Sequence, residues 1–171
     1  DGYEADDLIG TICTQLRDEH EMKTHDIHAI IVTGDRDILQ LVQDDRVYVY
    51  MPTKGLSQSK LYDEEATVER LGVLPDKIVE LKALMGDSSD NYPGVAGIGP
   101  KTAQTLIETF GSIENVYKAL DAHDMRIKPS VAEKLKKDRE NAFLSRTLAQ
   151  IKCDVPVAID FPAMHITSLD T

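Results

Sequence analysis

Ala29-Ile30-Ile31-Val32-Thr33-Gly34-Asp35-Arg36-Asp37 is the stretch that decides the fold. Its first four residues are a short, continuous apolar run, rich in β-branched side chains and closed by turn-type residues. Such a run reads as a buried strand of a parallel sheet. Asp35 and Asp37 follow at its carboxyl end, where open parallel sheets bind their ligands. Both acids are therefore expected to face a crevice. A helix cap would account for Asp35 but leaves Asp37 unexplained.

Upstream, Leu8, Ile9, Ile12, Cys13 and Leu16 recur at helical spacing. They predict a helix over Ala5–Leu16 with those residues as its apolar face. Downstream, a short helix carries Ile38, Leu39, Leu41 and Val42, Val47–Tyr50 forms a second strand, and Pro52–Gln58 is a turn-rich loop. Helix, strand, helix and strand in that order mark an α/β unit.

The second half reads as helical. Asp63-Glu64-Glu65 opens a helix that runs to Leu71, with Gly72 as its stop. Pro75 starts another that ends at Gly86, and a glycine-rich loop covers Asp87–Gly99. Pro100 suits the first turn of a helix through Phe110, and Gly111 suits its C-terminus. Further helices are expected over Ile113–Leu120 and Ser130–Ile151, then an extended tail over Val155–Phe161.

The chain of 171 residues, 42% apolar and 29% charged, has the make-up of an ordinary globular protein. No apolar run approaches the roughly 20 residues that span a bilayer, and no signal or transit segment is visible. Cys13 and Cys153 are far apart and form no CxxC pair, which suits reduced thiols in an intracellular protein. His20, His25 and His28 read as a polar surface turn before the strand rather than a metal site.

A net charge of −11 argues against a polyanionic partner unless cations intervene. Seven acids fall in three clusters: Glu4, Asp6 and Asp7; Asp35 and Asp37; Asp87 and Asp90. Taken singly, the first suits a helix dipole and the last a solvated turn. Asp87 and Asp90 lack the alternate spacing of an EF-hand loop. Gathered at one crevice, the seven would raise one another's pKa values unless hard divalent cations such as Mg²⁺ or Mn²⁺ sat among them.

Gly94-Val95-Ala96-Gly97-Ile98-Gly99-Pro100-Lys101-Thr102 resembles a phosphate loop but fails its test, because Pro100 separates the glycine from Lys-Thr. What remains is a hairpin between two helices. Its backbone N–H groups, the helix N-terminus and Lys101 are suited to a phosphate. Contacts of that kind read no bases. A plain helix–helix turn is the competing reading.

Four segments in this order, Gly2–Ile9, Thr33–Asp37, Ala83–Asn91 and Gly94–Ala103, resemble the 5′ nuclease family. That family includes the 5′–3′ exonuclease domain of bacterial DNA polymerase I and the flap endonucleases. The resemblance covers nearly the whole chain and weakens after about Asp154. It implies a partial parallel-sheet, PIN-like α/β core over residues 1–64. A helical helix–hairpin–helix (H3TH) subdomain over 65–154 and an extended tail over 155–171 would follow.

It further implies hydrolysis of 5′ flaps and 5′ ends of duplex DNA or RNA–DNA hybrids, in replication and repair. Glu4, Asp6, Asp7, Asp35, Asp37, Asp87 and Asp90 match the family's metal-binding carboxylates, serving two or more Mg²⁺ or Mn²⁺ ions. Gly97, Ile98, Gly99, Lys101 and Thr102 match its DNA-gripping hairpin, where K⁺ often assists.

The family's core begins before the residue that is Asp1 here. A first strand with its aspartate, a later aspartate and the basic arch are expected upstream or absent, which makes the chain a fragment with little activity alone. A bacterial cytoplasmic, nucleoid-associated setting is expected, with a polymerase domain possible in the same parent chain. Two alternatives stay open: a helix–hairpin–helix DNA-binding module without catalysis, and a PIN-type RNase.

Overall fold

The computed structural model describes residues 2–18, 28–52, 59–158, 160 and 163. His20, His25, most of the turn expected over Pro52–Gln58, and Phe161 in the tail lie outside the described residues. The chain divides into two compact units, one combining Asp1–Asp26 with Ile151–Thr171 and the other spanning Ile27–Gln150.

The first unit is built on helix α1 (Ala5–Asp18). It buries Gly10, Thr11 and Cys13, whereas Leu8 is exposed. This departs from the apolar face expected from periodicity. Thr11 is drawn inward because its hydroxyl is fully used: it donates to Asp7 O (2.7 Å) and accepts from Val155 N–H (3.1 Å). Gln15 holds the same returning segment by donating to Val157 O (2.7 Å). Gly10 lets that segment approach, since a Cβ there would fall 2.8 Å from Ile151 and 2.9 Å from the Cys153 sulfur. Both cysteines are free thiols, and burial, followed by the neighbouring Cys153, pushes the Cys13 thiol up to about 11.

The second unit opens with a three-stranded sheet in the order β1 (Ala29–Val32), β2 (Val47–Pro52), β3 (Ser59–Tyr62). β1 and β2 pair in parallel with Ile31 opposite Val49; β2 and β3 pair antiparallel with Val49 opposite Tyr62. β3 was not anticipated from Ser59-Lys60-Leu61-Tyr62. Four residues with one polar pair carry too little pattern, and the pairing with β2 supplies the rest.

β1 is also not buried on both faces. Ile31 lies in the core, while Ile30 and Val32 are 59% and 70% exposed. The sheet has one packed face, lined by Ile31, Val49 and Tyr62 against Ile38 and Leu39 of a 3₁₀ turn (Asp37–Leu41).

Helices follow: α2 (Glu64–Leu71), α3 (Ile78–Met85) entered through a 3₁₀ turn at Pro75–Lys77, α4 (Pro100–Phe110), α5 (Ile113–Asp121), α6 (Pro129–Lys137) and α7 (Arg139–Ala149). Asp63 caps α2 through Ala66 N–H (2.7 Å), and Ser112 caps α5 through Asn115 N–H. Gly72 ends α2 in the left-handed region at φ 75°.

The single helix expected over Ser130–Ile151 is two. It breaks at Asp138 (φ −112°, ψ 28°), whose carboxylate accepts Ala96 N–H (2.9 Å) from the hairpin instead of staying in a helical face.

α3 is the central element, packed against α4 and α7 with Ala83 and Leu84 fully buried. The chain leaving it turns back at once. Val95 N–H donates to Leu84 O (2.9 Å), and Asp87 and Tyr92 exchange backbone bonds (2.8 and 3.1 Å). Gly94 (φ 56°) makes this return possible, because a Cβ there would fall 2.6 Å from Gly86 Cα. Gly94→Ala is therefore expected to lose about 2 kcal/mol or more in a denaturant melt. Gly99→Ala, in open space at φ −94°, should lose less than about 1 kcal/mol. Equal losses would contradict this account of the turn.

Candidate metal centre and nucleic-acid interface

Two segments of the second unit meet in an open, polar cleft of about 500 Å³ lined by Gly34, Asp35, Arg36, Asp37, Asp87, Ser89 and Asp90. Asp35 and Asp37 reach it from the turn after β1. Asp87 and Asp90 reach it from the loop that folds back on α3. One carboxylate oxygen from each of Asp37, Asp87 and Asp90 lies within 4.8 Å of the other two. A set of closely spaced hard oxygen donors fits a divalent cation such as Mg²⁺ or Mn²⁺.

Local hydrogen bonds fix the cleft. Asp37 N–H donates to Asp35 Oδ1 (2.9 Å), and Asp35 N–H to Thr33 Oγ1 (3.0 Å). Asp35 thus serves the turn and lines the cleft as well. Ser89 N–H donates to Asp87 Oδ1 (2.9 Å), and its hydroxyl donates to the same oxygen.

Lys82, from α3, places its ammonium against Asp37 Oδ1, 2.9 Å from Asp87 Oδ2 and 3.6 Å from Asp90 Oδ2. Its side chain is 8% exposed. Burial opposes the charge on Lys82, but the hydrogen bonds from its ammonium to Asp37 and Asp87 outweigh burial and raise its pKa. Burial raises Asp37, against the pull of Lys82. Burial also pushes Asp87 up, but the hydrogen bonds from Ser89 and Lys82 win and bring it to about 2.

Lys82 was missed in the sequence. The signal was there: Glu80 and Lys82 are charged residues in a helix whose neighbours are apolar all round, and both are buried. Glu80 is accounted for structurally. It accepts Ile113 N–H (2.8 Å) and pairs with Arg146 (3.0 Å), tying α3 to α5 and α7.

The hairpin Gly94–Thr102 leads into α4 and is held from behind. Gly94 N–H donates to Ser145 Oγ (2.9 Å), Ala96 N–H to Asp138, and Lys134 Nζ to Gly97 O (2.8 Å). Gly97, Gly99 and Lys101 are exposed. Ile98 is not part of the outer surface. It is 4% exposed and its N–H donates to Val95 O, so it anchors the turn in the core. Thr102 N–H is likewise engaged, by Gly99 O (3.0 Å).

Glu4, Asp6 and Asp7 belong to the first unit. Asp7 accepts Glu4 N–H (3.1 Å) through Oδ2 and Lys152 N–H (2.8 Å) through Oδ1, closing the start of α1 onto the returning segment.

The fold and site define an α/β protein of PIN-like type, with a carboxylate cleft at the end of its parallel strand pair and a helical hairpin element beside it. Residues 1–72 match the family described as 5′–3′ exonuclease, N-terminal resolvase-like domain, and residues 73–171 match 5′–3′ exonuclease, C-terminal SAM fold. The chain belongs to the 5′–3′ exonuclease family.

It is 42% identical over 160 residues to DNA polymerase I of Caldicellulosiruptor bescii, covering 93% of this chain and 18% of that protein. It is 41% identical over 157 residues to a 5′–3′ exonuclease of Bacillus subtilis, covering 92% and 49%. The chain therefore spans half or less of these relatives. Among solved structures it superposes on a T5 5′-exonuclease with a TM-score of 0.71 at 26% identity, covering 88% of this chain and 56% of that one. A bacteriophage T5 flap endonuclease in a pseudo-enzyme-product complex with DNA and metal ions gives 0.70 at 25% identity, covering 88% and 50%.

The depressed Asp87 value has a pH signature. Its unfolded value is near 3.9 and its folded value about 2. The fold thus favours the ionised form, and that stability is present above about pH 4 and lost as pH falls towards 2. Urea unfolding in EDTA should show wild-type stability dropping across this window and Asp87→Asn dropping less. Parallel pH profiles for the two proteins would contradict the assignment.

Proposed function

We propose that this chain is part of a metal-dependent 5′–3′ exonuclease and 5′ flap endonuclease that hydrolyses DNA phosphodiesters in replication and repair. The observation that carries the reading is the meeting of Asp37, Asp87 and Asp90 oxygens within 4.8 Å, from segments far apart in sequence. Asp35 completes the wall of that cleft. Glu4, Asp6 and Asp7 are also proposed as metal ligands. Two or more Mg²⁺ or Mn²⁺ ions, when bound, would activate water and stabilise the departing 3′ oxygen.

The protein's own part is to hold the acids in place. Asp87 and Asp90 are fixed by the Gly86–Gly94 turn, and Asp35 and Asp37 by the turn after β1. The hairpin grips duplex phosphates through exposed backbone at Gly97 and Gly99, through Lys101 and through the start of α4, with Thr102 in the first turn. K⁺ is proposed to assist there. Binding of this kind is independent of base sequence. The substrate class is 5′-flapped, nicked or 5′-ended duplex DNA, with RNA–DNA hybrids included, in the bacterial cytoplasm. A polymerase domain in the same parent chain is part of the proposal.

Calorimetric titration with MnCl₂ tests the metal centre in this chain. Asp37→Ala with Asp87→Ala should weaken binding by roughly tenfold or more, and unchanged binding would remove the site. In a full-length protein carrying this chain, Asp35→Ala with Asp37→Ala should lower flap cleavage by roughly a hundredfold or more while sparing duplex binding. Full cleavage by that variant would overturn the catalytic reading. Duplex binding without metal-dependent cleavage in the full-length protein would leave only a DNA-binding module.

A further inference from the structure

The acidic cleft already contains a cation of its own. The Lys82 ammonium touches Asp37 Oδ1, Asp87 Oδ2 and, more loosely, Asp90 Oδ2. These are the same three residues whose oxygens cluster within 4.8 Å. A Mg²⁺ ion bonds oxygen at about 2.1 Å, so an ion shared by the three carboxylates needs the space that the ammonium nitrogen fills. A divalent ion and the ammonium would also repel each other at that range.

The lysine is not a surface side chain leaning over a cleft. It rises from the middle of α3, between Leu81 and Ala83, both buried, and its own side chain is 8% exposed. Its nitrogen also lies 5.6 Å from the centre of the Tyr92 ring. That ring stands on the loop that carries Asp87 and Asp90, and it offers a cation a second seat.

We propose that Lys82 is an internal counter-ion. Its ammonium offsets part of the cleft's negative charge before metal arrives, and it withdraws from Asp37, Asp87 and Asp90 towards Tyr92 when a divalent ion enters. Lys82 thereby sets the affinity for metal. This deepens the metal-centre reading above and rests on it. The rival role is a purely structural ion pair, which would leave metal affinity unchanged or lower it when the lysine is removed.

The two roles separate in the whole chain with Lys82→Met, which keeps length and apolar bulk but removes the charge. The variant should melt lower than wild type in EDTA, because three carboxylates lose their partner. It should bind Mn²⁺ roughly tenfold or more tightly by calorimetry, and saturating Mn²⁺ should raise its Tm more than that of the wild type. Equal or weaker Mn²⁺ affinity in the variant overturns the counter-ion role and leaves the metal centre standing. Absence of Mn²⁺ binding in both proteins overturns both.

Wild-type protein labelled with ¹³C-lysine gives a reading that needs no folded variant. The Hε–Cε resonance of Lys82 should move as Mg²⁺ is added and saturate with binding. A Lys82 resonance that stays in place while Mg²⁺ binds overturns the displacement.

Discussion

Everything in the second unit hangs on the return of the chain over the end of α3. Gly86 and Gly94 bring two backbones into contact where a side chain would not fit, and Val95 N–H then closes onto Leu84 O. This one turn has two consequences. It sets Asp87 and Asp90 beside the acids that follow β1, and it aims the next residues outward as the hairpin before α4. The acidic cleft and the candidate phosphate grip are two ends of a single short segment, so the distance between them is fixed by backbone geometry.

Charge is the second constraint. Three carboxylates this close cannot all ionise without a cation, and burial adds to the cost at Asp37. The fold meets that cost with the buried Lys82 and with short-range donors such as Ser89. The net charge of −11 is therefore a poor guide to what the surface binds. The acids that matter most are gathered in one cleft, where a bound cation changes their sign towards a phosphate.

The hairpin shows how a DNA-facing element is stiffened from behind. Ser145, Asp138 and Lys134 each take one backbone group of the Gly94–Gly97 segment. Asp138 can do so because the helix is interrupted there, and the interruption separates α6 from α7. Ile98 fastens the tip to the core, which leaves the glycines on either side exposed.

The sequence by itself determined the order of elements apart from β3 and the break at Asp138, the family, and the three acid clusters with their glycine-rich hairpin. These are local signals: capping residues such as Asp63 and Ser112, stops such as Gly72, β-branched runs, and motifs with fixed spacing. It could not determine what those residues face, because burial and partnership depend on residues far away in the chain. Only the tertiary structure decided that Ile30 and Val32 stand on the exposed side of the sheet. It alone recruited Ser59–Tyr62 as a strand through β2, and it drew Thr11 rather than Leu8 inward. Asp138 breaks a helix because the hairpin needs an acceptor. Lys82, which periodicity would leave as one charge on an apolar helix, lies among three acids because α3 is packed on all sides and the cleft supplies carboxylates for its ammonium.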